Sequence, residues 1–203
     1  VAVIAGTGFY IEDFAGAAIE GASVDDLATR MIDDLRNGFP GTDIRAGIIG
    51  EIGVSDPWTP AEQRVMHGAV IAQQETGASI TVHPGRDPRS PVAVARFIAA
   101  RGGDLSRVVI GHLDRTLFDV DDLLHLLDQG VVAEWDFFGI ESSYYPFAAI
   151  DMPNDGQRLH MIGKAIDAGF LDRIAISHDI CTMTRLQRWG GHGYAHIPRD
   201  VVP

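Results

Sequence analysis

Two acids and two imidazoles stand out for what they could do together: Glu51, His83, His112 and Asp179. Carboxylates and imidazoles are the oxygen and nitrogen donors that suit zinc, manganese or iron(II). The four are 32, 29 and 67 residues apart, and each falls at or near the C-terminal end of a different strand-like run. Taken singly, each has an ordinary explanation. A histidine at a strand end is more often a hydrogen-bonded rim residue than a ligand, and Glu51 could pair with an arginine such as Arg45 or Arg107. Their shared position shifts the balance toward a metal site, since chance does not put every candidate at the same end of its strand. Glu51 poses the sharpest question. It sits in "GIIGEIG" (47–53), which reads as sheet interior. An unpaired charge there is strongly disfavoured and is neutralised, ion-paired or metal-bound.

The elements that must position these groups alternate in type. Strand-like runs are VAVIA (1–5), AGIIGEI (46–52), SITVH (79–83), RVVIGH (107–112), VVAEWDF (131–137) and RIAISHD (173–179). Helical stretches lie between them. Residues 23–38 start on Ser23 as N-cap and stop at Gly38. Residues 59–77 have Thr59 as cap, Pro60 at the first helical position, Glu62 closing a capping box and Gly77 as the stop. Residues 90–103 repeat that logic with Ser90 and Pro91, and 119–130 and 155–169 complete the set. No hairpin or low-complexity linker interrupts the pattern. Strand–helix alternation predicts an α/β fold with a parallel sheet, either open and doubly wound or closed as a (β/α)8 barrel. "GTGFY" (6–10) lacks the third glycine of a dinucleotide fingerprint, and the "IEDF" that follows is not a helix start, so nucleotide binding is weakly supported. In a barrel the strands' C-terminal ends converge on one face, where four ligands from four strands would meet.

Composition narrows the partners. The chain has 203 residues, 46% hydrophobic and 22% charged, enough for a sizeable core in what we expect to be one domain over residues 1–203. A net charge of −12 without any Lys/Arg run argues against nucleic acid and anionic membranes. One cysteine, Cys181, excludes an internal disulfide framework and fits a reducing, cytoplasmic setting. No apolar stretch approaches a membrane span, and no signal peptide is visible. The chain opens directly on a strand, with no initiator Met, which reads as a cut.

Five segments, AGIIGEIG (46–53), TVHPG (81–85), VVIGHLD (108–114), ISHDICT (176–182) and GGHGYAHI (190–197), together resemble the phosphotriesterase-related proteins of the amidohydrolase superfamily, also described as resiniferatoxin-binding or parathion-hydrolase-related. The resemblance covers essentially the whole chain, and the combination is specific where any one motif would be weak. It implies a (β/α)8 TIM barrel with two divalent metals, usually zinc with manganese or iron(II) as alternatives, and a bridging hydroxide. Glu51 stands where phosphotriesterases proper bridge both metals with a carboxylated lysine. By the same resemblance His83 and His112 would bind the second metal, and Asp179 would bind the first and accept a proton from the attacking hydroxide. Two cations make hydroxide available near neutral pH and polarise the substrate's carbonyl or phosphoryl oxygen.

Three departures from the family pattern matter. No H-x-H precedes Glu51, and VAVIA looks like the family's third strand, so the barrel is expected to lack its first two β-α units here. The helix expected after the final glycine-rich segment is missing too; such a barrel runs to roughly 250 residues or more. Phe137 follows Asp136 where the phosphotriesterases carry a relaying histidine, and Arg115 stands where the relay's second acid would lie. These changes count against efficient paraoxon-type hydrolysis and favour a carboxylic ester, lactone or amide.

Secondary candidates carry open alternatives. Tyr144 and Tyr145, on the long loop after VVAEWDF, are substrate contacts or loop packing. Arg115 and Trp135 are pocket candidates, with a surface ion pair to Asp114 or Asp119 as the alternative for Arg115. His192 and His196 lie on a glycine-rich loop that is a candidate lid, and His178 faces away from Asp179 by strand alternation. Cys181 has no adjacent base and reads as a small rim residue rather than a nucleophile. The function expected is metal-dependent hydrolysis of a small molecule, in a protein whose homo-oligomerisation is left open. The alternative is a non-catalytic small-molecule binding protein on a degenerate barrel; a metal nuclease is the weakest option.

Overall fold

A computed structural model describes residues 2–142 and 144–202. Among the described residues, six strands form one sheet in chain order: β1 (Ala5–Thr7), β2 (Ala46–Gly53), β3 (Ile80–His83), β4 (Val108–Ile110), β5 (Val132–Trp135) and β6 (Ile174–Ile176). The sheet is parallel, with helices α1 (Glu12–Ala15), α2 (Val24–Arg36), α3 (Pro60–Thr76), α4 (Ser90–Ala99), α5 (Val120–Leu127) and α6 (Asp155–Asp167) in the connections. The α/β class and its alternation are as the sequence predicts. None of the described helices is long and apolar enough to cross a membrane. The chain divides into two compact units, Val1–Ile110 with Gln129–Val132, and Gly111–Asp128 with Ala133–Pro203.

In the first unit, Ile49 and Ile52 of β2, Ile80 and Val82 of β3 and Val108 of β4 are fully buried, and so are Met31 of α2 and Val65, Met66 and Ala69 of α3. α3 starts and stops where its sequence says. Thr59 accepts from the Glu62 N–H, Glu62 reaches back to the Thr59 N–H, Pro60 opens the helix, and Gly77 ends it in the left-handed region at φ 71°. Glu62 does more than cap. Fully buried, its carboxylate also accepts from the Glu12 N–H, the Ser55 N–H and the Ser55 hydroxyl, tying the exit of β2 to α1 and α3. The β2–β3 register sets Gly53 opposite His83 and so fixes which side chains emerge beside each other at that sheet end.

Gly53 itself admits no side chain. A Cβ there would lie 2.2 Å from the Ile11 nitrogen and 2.5 Å from the Tyr10 carbonyl carbon. Gly53→Ala is therefore expected to destabilise the protein by about 1–3 kcal/mol through overpacking. Urea denaturation of both proteins checks this, with a lowered midpoint as the expected outcome.

In the second unit the core is made by Leu123, Leu126 and Leu127 of α5, Ala133 and Trp135 of β5, Phe138, and Ile162 and Ala165 of α6. β5 and β6 pair with Ala133 opposite Ile174 and Trp135 opposite Ile176. Under α6 lies an ion pair with both side chains fully buried, Arg158 Nε to Asp114 Oδ2 at 2.9 Å.

Several expectations need correction. The first strand is Ala5–Thr7 rather than residues 1–5: Val1 lies outside the described residues, and Val3 and Ile4 are exposed. "IEDF" does begin a helix, the single turn α1. Arg89, not Ser90, is the N-cap of α4, and it makes no side-chain cap bond. Three strands end earlier than predicted. β4 stops at Ile110, β5 at Trp135 and β6 at Ile176, so His112, Asp136 and Asp179 sit in the turns that follow. His112 and Asp179 both occupy the left-handed region, at φ 55° and 40°, a conformation that costs a non-glycine residue energy and occurs where a site over-determines it.

Candidate metal centre

Glu51 leaves the sheet near the end of β2, and its side chain is 37% exposed, so the buried carboxylate expected from "GIIGEIG" is in fact open to solvent. Its Oε2 lies 3.6 Å from Nδ1 of His83, the last residue of β3. The His83 ring is buried, with the Tyr10 hydroxyl 3.2 Å from its ring nitrogens and the Tyr10 ring edge-on at 4.8 Å. Tyr10 is a neighbour that the sequence did not reveal, because its segment carries no periodic signal.

His112 is held from two sides. Asp136, the first residue after β5, accepts the His112 N–H at one oxygen and faces Nδ1 at the other, both at 2.8 Å. With both residues buried, this double contact locks the ring and the left-handed backbone together and leaves Nε2 as the outward ligand atom. Phe137 stacks on the imidazole at 5.0 Å and 18°. Phe137 thus packs against the ring of His112 and offers it no titratable group. Asp136 was legible in principle, since it follows its strand as His112 and Asp179 follow theirs.

Glu51 and His83 of the first unit each offer one ligand atom, 3.6 Å apart, and His112 of the second unit offers Nε2, its Nδ1 being held by Asp136. Carboxylate and imidazole donors of this kind make a set that fits a divalent transition metal. Asp179 is placed differently. Its Oδ2 is 2.6 Å from Arg185 Nη1, which also donates to the Asp179 carbonyl oxygen. Burial raises the proton affinity of the Asp179 carboxyl, while the Arg185 bond and the nearby His112 oppose that rise. The Cys181 thiol is likewise pushed up by burial and by the Asp179 charge, which agrees with its reading as unreactive.

A model of the phosphotriesterase family matches residues 1–203. The chain belongs to that family. A phosphotriesterase-related protein of Nematostella vectensis is 44% identical over 204 residues, covering 100% of this chain and 58% of its own length. An N-acetyltaurine hydrolase of Mus musculus is 41% identical with the same coverage. Among solved structures, a resiniferatoxin-binding protein from Rhodobacter sphaeroides superposes with a TM-score of 0.94 at 32% identity, over 100% of this chain and 56% of that one. The chain therefore spans a little over half the length of these relatives.

The remaining candidates fall in distinct settings. Trp135 is buried and lines a cavity of about 400 Å³ with Leu117, Phe118 and Met161. Arg115 is buried rather than at the surface; Nη1 donates to the Thr116 hydroxyl, and the Asp114 carboxylate is taken by Arg158. Tyr144 is exposed, and Tyr145 meets Phe147 edge-on at 5.6 Å. The glycine-rich segment is anchored: His196 Nε2 is 2.6 Å from Asp155 Oδ2, Nδ1 is 3.0 Å from Asp200, and the Ile197 N–H donates to His178 Nε2. The His178, His192 and His196 rings lie 5.7 to 6.2 Å apart, and burial lowers the basicity of His178 and His192.

Proposed function

We propose that the protein of which this chain is part is a divalent-metal-dependent hydrolase acting on an N-acyl amide. The observation that carries this is the pairing of Glu51 with His83 at 3.6 Å, and His112, fixed by Asp136, is the third ligand we assign. When bound, a divalent metal supplies Lewis-acid polarisation of an acyl oxygen and hydroxide near neutral pH. Two metals, zinc first and manganese or iron(II) otherwise, belong to this reading on the strength of the family pattern, and Glu51 is among the residues that would hold them. The chain's own residues divide the remaining work. Asp136 fixes the tautomer and direction of His112. Asp179, whose proton affinity burial raises, accepts a proton at its carboxylate and is the further ligand we assign. Tyr144 and Tyr145 are the substrate contacts we assign on the loop, and the buried Arg115 and Trp135 would shape the wall behind. An amide is preferred over an ester or lactone because several relatives are named N-acetyltaurine hydrolases. We read residues 1–203 as one domain in a reducing, cytoplasmic setting, with a small-molecule partner.

Chelator treatment of the full-length protein should lower hydrolysis of N-acyl amides by more than about 100-fold, since disturbing only the residues that orient a metal's ligands already costs 10- to 100-fold, and added zinc or manganese should restore it. Steady-state assays before and after metal removal check this. Hydrolysis untouched by chelation would overturn the reading. Binding of acyl amides without turnover, whatever metal is added, would favour the non-catalytic binding protein instead.

A further inference from the structure

The function proposed above leaves unused the cation beside Asp179 and the glycine-rich segment that follows it. Arg185 spends only one of its three nitrogens: Nη1 donates to both the Asp179 carboxylate and the Asp179 carbonyl oxygen. Among the described residues, Nε and Nη2 make no hydrogen bond, and the side chain is 24% exposed. That leaves open the edge of the guanidinium that matches two oxygens of a carboxylate or sulfonate in parallel. The guanidinium carbon sits 5.4 Å from the centre of the Phe137 ring, the same ring that stacks on His112. Arg185 thus stands one aromatic ring away from a metal-ligand candidate, in a chain whose net charge of −12 otherwise repels anions.

The main chain of Arg185 is held rather than loose. The Gly193 N–H donates to its carbonyl oxygen at 2.9 Å. Gly191 packs so tightly that a Cβ there would lie 2.2 Å from the Arg185 carbonyl carbon. Only a residue without a side chain fits, so the glycines of GGHGYAHI serve to seat Arg185. A cation seated in advance loses little freedom when a ligand arrives.

We propose that Arg185 is a specificity-determining residue that binds the oxyanion of an acidic N-acyl substrate through its Nε and Nη2 edge. This rests on the hydrolase reading and deepens it by naming the substrate class: an acyl amide whose amine half carries a sulfonate or carboxylate on a short tether. N-Acetyltaurine, with a sulfonate two carbons from its amide nitrogen, is one such compound. N-Ethylacetamide is its neutral counterpart, lacking only the oxyanion, and N-acetyl-β-alanine is its carboxylate analogue.

Calorimetric binding to the chelator-treated, full-length protein tests the inference without any hydrolysis. The unaltered protein should bind N-acetyltaurine about tenfold or more tightly than N-ethylacetamide, the worth of a charge-assisted forked pair. The comparison with N-acetyl-β-alanine shows which oxyanion fits better. Arg185→Met should erase the preference for the charged compound, Arg185→Lys should keep part of it, and Gly191→Ala should weaken it by displacing the arginine. Thermal melts confirm that each variant folds; if Arg185→Met does not, the Lys variant and the comparison of ligands on the unaltered protein still decide. Equal binding of the charged and neutral compounds by the unaltered protein, or an undiminished preference in a folded Met variant, would overturn the assignment. Failure of the hydrolase reading shows separately, as absence of turnover in the metal-loaded protein.

Discussion

Glu51→Gln is expected to lower divalent-metal affinity by more than about 100-fold and to remove hydrolysis in proportion. The substitution keeps the volume and one oxygen, and it removes the negative charge that a cation needs. Altering residues that merely orient a metal ligand costs 10- to 100-fold, so losing a ligand's charge should exceed that range. Because the side chain is 37% exposed, the metal-free variant should fold as well as the parent protein. Competition against a metal-binding dye gives the affinity, and a thermal melt of the metal-free form gives the control. If the variant held metal as tightly as the parent, Glu51 would not be a ligand. If instead it lost stability without metal, the carboxylate would serve a structural pairing.

Arg158→Met should be the most damaging substitution for folding, at about 3–5 kcal/mol, the cost of stranding one partner of a buried ion pair. The Arg158 side chain is fully buried. It donates to Asp114 at 2.9 Å, to Asp155 at 2.7 Å and to the Ile140 carbonyl at 2.6 Å. Methionine fills much of the space and offers none of these bonds. Asp114 would then keep the Phe137 N–H at 2.8 Å but lose its counter-charge.

The pH dependence follows from the same pair. Burial, together with the Asp136 charge, pushes the Asp114 carboxyl up to about 6 despite Arg158. A folded-state value above the ordinary 3.8 means that the folded protein holds the proton more tightly than the unfolded chain. The contribution of Asp114 to stability is therefore fully present below its ordinary value and is lost as pH rises through about 6. In Arg158→Met the loss relative to the parent should be smaller at pH 5 than at pH 8, because a protonated Asp114 needs the arginine less. Urea midpoints at both pH values decide this, and a constant gap would contradict it.

The sequence revealed the alternation of strands and helices and the cap and stop of α3. Those features rest on local chemistry: hydrophobic period, capping residues and glycine at a left-handed position. It misjudged what depends on neighbours distant along the chain. Glu51 read as buried because its flanks are apolar, yet the chain's path lets its side chain reach solvent. The Arg185 partner of Asp179 went unread as well, because it lies in a segment without periodicity. The surface ion pair offered as the alternative for Arg115 fails, because Arg115 is buried and Asp114 pairs with Arg158, 44 residues away. The double hold of Asp136 on His112 was likewise hidden, since two turns following separate strands carry no pattern that links them.

Crystals of the full-length protein grown with zinc, measured for anomalous scattering at the zinc absorption edge, put the central claim to the most direct test. The account predicts a zinc peak about 2.0–2.2 Å from a Glu51 oxygen and from one ring nitrogen each of His83 and His112. A peak bonded elsewhere, or density showing Glu51 clasped by an arginine with no metal at these three residues, would contradict it.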